Sequence, residues 1–221
     1  MSSVFCWLPW LLLAPQLAVV RVFFFWPAGQ ALWQSLLQQD AFGTSVAISG
    51  DTIVVGRKPT GTLLCDYLLP GKNLYLMSTG TGLAPFMSVI RDPDTYERFE
   101  KVILVHGVRQ VNELAYHDYI TQELPAHEFL GEMVSQQLLY YPTVTREPYK
   151  NQGRLTDLIE NGKLFADLGM PPLNPETDRV MICGSPGMLK DLKRICEERG
   201  LVEGNTSTPG AFVIERAFAE A

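Results

Sequence analysis

The sequence predicts a doubly wound α/β domain with a parallel sheet over residues 71–221, preceded by a region of a different kind. Three observations carry this. Strand and helix signals alternate from residue 51 onward. The strand runs are continuously apolar, as parallel strands covered on both faces must be. Composition also breaks sharply near Ser49. Residues 1–50 hold two charged residues, Arg21 and Asp40, and all four Trp, whereas every Lys and all eight Tyr lie after them. With 221 residues, 47% hydrophobic and 19% charged, the chain can bury a sizeable core.

The elements read as follows. Asp51–Gly56 (DTIVVG) is a β-branched run after Gly50. Asn73–Ser78 (NLYLMS) is a strand entered from Pro70-Gly71 and broken at Gly80–Gly82, and Leu83–Arg91 has helical spacing. Lys101–His106 (KVILVH) is a buried-type strand. Asn112–His127 reads as a helix with Asn112 as its cap. Gln137–Val144 is a strand, Leu155–Asn161 a short helix and Arg179–Cys183 a strand. Pro186–Arg199 is a helix stopped by Gly200, and Phe212–Glu215 closes the sheet.

Composition narrows the function. A net charge of −6 lacks the basic surplus that nucleic-acid binding requires, so no nucleic-acid partner is expected. Four scattered Cys without a CxxC pair, and three His, argue against a zinc site or a disulfide framework. No metal is expected, and the location implied is cytoplasmic. Residues 4–26 are mostly apolar but carry Pro9, Pro15, Gln16 and Arg21. They leave three readings open: a membrane anchor or signal, a buried strand-rich segment, or a segment foreign to the fold.

Ligands of such sheets sit beyond the carboxyl ends of the strands. The segments there are Ser78-Thr79-Gly80-Thr81-Gly82, His106-Gly107, Thr145-Arg146-Glu147, Cys183-Gly184-Ser185-Pro186 and Glu215-Arg216-Ala217-Phe218. In the first, two Gly let backbone approach a ligand, and the turn leads into a helix whose free N–H groups suit a pyrophosphate. A plain strand-to-helix turn is the alternative. The segment is neither a GxGxxG fingerprint nor a P-loop. Arg146, joined by Arg154, can fork hydrogen bonds onto a phosphate; with a dinucleotide this favours a 2′-phosphate. Surface ion pairing is the other reading. Cys183 is either a buried small apolar residue or part of the site. GSPGM and STGTG offer no GxSxG elbow for a hydrolase.

Taken in order, STGTGLAPF, LVHGVR, YYPTVTRE, GRLTDLI, DRVMICGSPGM and GAFVIERAFAE resemble the bacterial ferredoxin–NADP reductases, and the upstream GDTIVVGRKPTGTLL is similar too. The resemblance spans about residues 50–221. It implies an antiparallel FAD-binding barrel followed by the NADP-binding α/β domain. The implied reaction is hydride transfer between NADP(H) and FAD, coupled to one-electron exchange with ferredoxin or flavodoxin. It also implies residue roles. Thr79, Gly80, Thr81 and Gly82 would meet the dinucleotide phosphates, with Ser78 also cofactor-binding and Thr81 also touching the flavin. Arg146 and Arg154 would hold the 2′-phosphate. Gly184 and Met188 would also bind the cofactor, with Cys183 facing the nicotinamide near the hydride path. Glu215, Ala217 and Phe218 would close over the flavin, making Cys183 and Glu215 the expected catalytic pair.

The departures matter as much. The family's Arg-x-Tyr-Ser flavin motif is absent, Arg21 being followed by Val-Phe-Phe. A barrel needs roughly a hundred residues. Gly43-Thr44-Ser45 is only faintly similar to the family's pyrophosphate turn, and its spacing to Gly50-Asp51 is short. The expectation is therefore an atypical segment at 1–48, a remnant of the FAD-binding barrel at 49–70 and an NADP-binding domain at 71–221. A shifted reading frame or misassembled gene start would produce such a join. FAD affinity should be low, and an NADP-binding remnant without catalysis is the alternative function. For docking of an acidic partner, Arg57, Lys58, Lys72 and Arg91 are the candidates.

Overall fold

The computed structural model describes the backbone of residues 44–49 and 52–57, and residues 63–205 and 207–215 in full. The chain divides into two compact units, Met1–Pro59 and Thr60–Ala221. In the first, β1 (Thr44–Ser49) and β2 (Thr52–Arg57) pair antiparallel, Thr44 opposite Arg57 and Ser49 opposite Thr52. Among the described residues the antiparallel barrel expected before the α/β domain is not seen; this hairpin is the antiparallel pairing there. All of β1 but Ser49 falls within the segment expected to be foreign to the fold.

The second unit contains β3 (Asn73–Thr79), α1 (Ala84–Val89), α2 (Pro93–Arg98), β4 (Lys101–Val108), α3 (Gly131–Gln137) and β5 (Leu138–Val144). These are followed by α4 (Leu155–Glu160), α5 (Lys163–Leu168), β6 (Asp178–Cys183), α6 (Pro186–Glu198) and β7 (Phe212–Glu215). The five strands β3 to β7 form one parallel sheet in the order β5-β4-β3-β6-β7. The order reverses between β3 and β6, which is the switch point where such sheets bind ligands.

The apolar runs explain the layers. Successive side chains of a strand point to opposite faces. Leu74, Leu76, Val102, Leu104 and Met181 pack on one face with Phe86, Tyr96 and Val134 from the helices α1 to α3. Tyr75, Met77, Ile103, Val105, Val180 and Ile182 pack on the other with Leu158, Phe165, Leu192 and Ile195 from α4 to α6. Every one of those β3 and β4 residues is fully buried. Burial of each such side chain contributes about 1.5–3 kcal/mol, so both faces need their helices.

Leu63–Pro70 join this unit at its edge. Leu63 and Leu68 enter the first core, and the Leu69 amide donates to the Gly210 carbonyl. At the amino end of the sheet the buried Arg179 donates to the Leu69 and Pro175 carbonyls, and also to Pro70, tying this segment to the loop before β6.

Helix α6 ends as its sequence predicts. Gly200 is left-handed at φ 80°, its amide donates to Glu197, and the Leu201 amide donates to Cys196. That is the double bond of a glycine-terminated helix. The continuous helix expected over Asn112–His127 does not form. Val111–Glu113 make a 3₁₀ turn and Tyr119–Glu123 a π turn. Gln110, not Asn112, caps the first turn, and the Glu113 carboxylate accepts from the Arg109 amide. Tyr116 then enters the left-handed region at φ 58°, which a helix cannot continue through.

Three short helices have no counterpart in the sequence reading. The Asp92 side chain accepts from the Asp94 amide to start α2, and α5 is framed by left-handed Gly162 and Gly169. Among the described residues no helix is long and apolar enough to cross a membrane; residues 4–26 lie outside them.

Candidate functional site

The carboxyl ends of β3 and β6 meet at the switch point. Ser78 lies beside Cys183 in register, and Cys183 beside Glu215 of β7. Two described loops leave here: Gly80–Leu83 after β3 and Gly184-Ser185 after β6.

Glycine permits the contact between these two loops. A Cβ on Gly82 would stand 2.2 Å from the Cys183 carbonyl oxygen, and one on Gly184 would stand 2.3 Å from Thr79 Oγ1 and 2.5 Å from Met188 Cε. No side chain fits either gap. Gly184 also has φ 156°. Gly80 is different. It is exposed, left-handed at φ 54°, and has no neighbour within 4 Å of a built Cβ. It is the open rim of the cradle, together with exposed Thr81.

Two hydroxyls expected at the ligand are already engaged. Ser78 is fully buried and donates to the Val105 carbonyl across the sheet at 2.9 Å. Thr79 Oγ1 accepts from the Ser185 amide at 3.1 Å, joining the two loops and partnering an amide at the start of α6. Met188 is buried in the core between sheet and α6. These residues shape the cradle from behind, whereas Gly80, Thr81 and Ser185 are exposed at its surface.

His106, near the end of β4, is fully buried between β3 and β5, behind the Gly80 turn. Its Nε2 is 3.3 Å from the Gly80 carbonyl and its Nδ1 is 3.4 Å from the Tyr140 hydroxyl. Burial, and secondarily the nearby His117, lowers the imidazole to about 4 against the upward pull of the Gly80 hydrogen bond. Near neutral pH the ring is uncharged. Burial raises the Cys183 thiol to about 11, with the Glu215 charge adding to the effect. Cys183 is thus a neutral thiol in a nearly closed position, suited to lining a pocket and not to nucleophilic attack.

Arg146 and Arg154 are exposed on the loop leaving β5. The loop is closed on itself: the Val144 amide donates to Asn151, the Gly153 amide to Val144, and Thr143 Oγ1 to the Gly153 carbonyl at 2.8 Å. Asn151, also buried, donates to the Pro142 carbonyl. The Arg146 amide donates to the Arg109 carbonyl at 2.9 Å, so β4 and β5 deliver two guanidinium-bearing residues side by side in the backbone. The sequence reading does not single out Arg109. Its signal was present, since it follows Val108 at a strand end within LVHGVR.

Glu215 is half-buried at the end of β7. Ala217 and Phe218 lie outside the described residues, as does Lys58 among the docking candidates; Arg57 is described in its backbone alone, as the last residue of β2. Lys72 sits just before β3, at the amino edge opposite the cradle, 4.0 Å from Glu100. Arg91 donates to the Met87 carbonyl and lies 5.8 Å over the Tyr119 ring.

Comparison with known proteins adds independent findings. A family model described as an oxidoreductase NAD-binding domain matches residues 76–194, and a second, described as an FG-GAP repeat, matches residues 37–61. The ferredoxin–NADP reductase of Pseudomonas aeruginosa is 62% identical over 172 residues, which are 77% of this chain and 67% of that protein. The ferredoxin–NADP reductase of Azotobacter vinelandii is 61% identical over the same lengths. A solved ferredoxin NADP+ reductase from Neisseria gonorrhoeae, with bound FAD and NADP, is 31% identical. It superposes with a TM-score of 0.62 over 82% of this chain and 72% of that one.

Proposed function

The chain belongs to the ferredoxin–NADP reductases of the oxidoreductase NAD-binding domain family, and from that premise we propose that it transfers a hydride between NADP(H) and FAD and exchanges single electrons with ferredoxin or flavodoxin. The observation that carries this is the switch-point cradle, in which Gly82 and Gly184 bring two loop backbones together beneath an exposed Gly80-Thr81 rim. The cradle fits a dinucleotide. Its rim carries only the small side chains of Thr81 and Ser185, and the exposed Arg146 and Arg154 follow a neighbouring strand end. Backbone N–H groups take the pyrophosphate, and forked guanidinium groups take a 2′-phosphate. Arg109 adds a third positive charge there. This charge selects NADP over NAD.

When bound, FAD would supply the conversion between two-electron and one-electron chemistry. The protein's part is placement. Cys183, an uncharged thiol beside Glu215, lines the nicotinamide side without competing for charge. Glu215, at the end of β7, would set its carboxylate toward the flavin when FAD is bound. The contacts expected from Ala217 and Phe218 complete this reading.

We further propose that residues 1–48 are foreign to the family's flavin domain. The FG-GAP match begins inside this segment, at residue 37, takes in Gly43-Thr44-Ser45, and runs on through residue 61. On this reading residues 49–70 are what remains of the barrel. A cytoplasmic location is supported by unpaired thiols at Cys65, Cys183 and Cys196. The extent of identity to named reductases favours catalysis over an NADP-binding remnant.

The test is the visible spectrum of purified protein with and without added FAD. A bound-flavin spectrum that NADPH bleaches supports the reductase. No flavin uptake, with NADP+ binding intact, overturns it in favour of the nucleotide-binding remnant.

A further inference from the structure

His106 is an unusual residue to bury completely at the end of a central strand. It lies in register between Ser78 of β3 and Pro142 of β5, with no water-facing surface. Its two nitrogens have different partners. Nε2 meets the Gly80 carbonyl at 3.3 Å and Nδ1 the Tyr140 hydroxyl at 3.4 Å. A carbonyl only accepts, so Nε2 carries the proton. The neutral ring then has a lone pair on Nδ1, which accepts from the Tyr140 O–H. The donor chain therefore runs from Tyr140 through His106 to Gly80.

The Gly80 peptide is where this matters. The bond to Thr81 is trans, so its carbonyl and the Thr81 N–H point in opposite directions. Holding the carbonyl inward on His106 turns the Thr81 N–H outward, to the exposed rim. Gly80 needs that hold. At φ 54° a Cβ built there would meet nothing within 4 Å, so beyond the 3₁₀ turn Gly80–Leu83 that it opens, His106 supplies a side-chain hold on this peptide. A glycine peptide left free would lose its orientation to entropy before a ligand arrived.

We propose that His106, oriented by Tyr140, is a positioning residue for the nucleotide: by holding the Gly80 carbonyl it aims the Thr81 amide at the pyrophosphate. The proposal rests on the reading of this cradle as the dinucleotide site. It assigns the specificity for a pyrophosphate to a buried side chain that touches no ligand atom.

The experiment uses the full chain and two probes in titration calorimetry. NADP+ spans the cradle and the arginine loop, while 2′-AMP has the 2′-phosphate but no pyrophosphate. His106→Phe keeps a ring and removes both nitrogens. It should weaken NADP+ binding by about tenfold, one hydrogen bond's worth, and leave 2′-AMP unchanged. His106→Gln, whose amide can still donate toward Gly80, should restore most of the NADP+ affinity. Tyr140→Phe should weaken NADP+ by a few-fold, again without moving 2′-AMP. If His106→Phe does not fold, Gln at 106 and Phe at 140 still decide the matter, because both are expected to fold and to give different affinities. Unchanged NADP+ affinity in His106→Phe, or in Tyr140→Phe where the former does not fold, overturns the proposal. So does an equal loss of both probes, which would mean general damage to the sheet edge. A wild-type chain that binds neither probe overturns the dinucleotide reading itself, a distinct result.

Discussion

Gly82 and Cys183 touch backbone to backbone across the point where the strand order reverses, so close that a Cβ on Gly82 would stand 2.2 Å from the Cys183 carbonyl oxygen. The two loops of the cradle are therefore one object. The Thr79 hydroxyl completes it by accepting from the Ser185 amide. Glycine at 82 is a packing requirement, whereas glycine at 80 is a conformational one.

That contrast can be measured. Gly82→Ala must push the two loops apart, at a cost of about 1–3 kcal/mol in stability, with NADP+ affinity falling by tenfold or more. Gly80→Ala has space for its methyl and pays only for the left-handed backbone, about 1–2 kcal/mol. Urea unfolding and NADP+ titration of both variants check this. Equal NADP+ affinity in Gly82→Ala and wild type would show that the loops need not touch.

Arg146 reads the 2′-phosphate if the exposed guanidinium does what its place at the β5 exit allows. Arg146→Ala should lower NADP+ affinity by about ten- to a hundredfold, the worth of a charge-assisted hydrogen bond, and leave NAD+ affinity nearly unchanged. The difference between the two nucleotides is the quantity to measure. A parallel loss of both would place Arg146 outside the phosphate site.

His106 makes stability depend on pH. Its folded value near 4 lies below the unfolded 6.5, so between these the unfolded chain binds more protons. Stability from this group is complete above pH 6.5 and declines as pH falls toward 4, by about 3 kcal/mol in all. Unfolding free energies of wild type and His106→Gln, measured from pH 7.5 to pH 4.5, should converge toward the acid end. Parallel curves would mean that the imidazole titrates normally.

Cys183 should be unreactive in the folded protein. With its thiol near 11, about one molecule in three thousand is thiolate at pH 7.5. Cys196, raised to about 12 mainly by burial, should behave alike. Iodoacetamide labelling followed by peptide mass spectrometry should find both unmodified until denaturant is added. Rapid labelling of Cys183 in the native state would show an open, activated thiol.

How much of this was legible in the sequence follows the range of the signals. The runs NLYLMS, KVILVH, RVMIC and FVIE are strands because apolar, β-branched continuity needs only neighbouring residues to be recognised. Gly200 ends α6 for an equally local reason, a left-handed conformation next to the last turn. The six-residue helices α2 and α5 were hidden because periodicity needs more than two turns to show. The helix expected over Asn112–His127 failed because Tyr116 breaks it by a conformation that no spacing rule encodes.

By itself, the sequence determined the parallel α/β class, the identity of the segments at the strand ends and the change of character near Ser49. All of these are properties of residues close together in the chain. The tertiary structure alone decided which strand ends become neighbours. It set β6 beside β3, 105 positions apart at Asn73 and Asp178, and so brought Gly82 onto Cys183 and Thr79 onto Ser185. It also turned Ser78 inward and put His106 behind Gly80. Such pairings come from packing two apolar faces at once, a condition on the whole sheet that no local stretch contains.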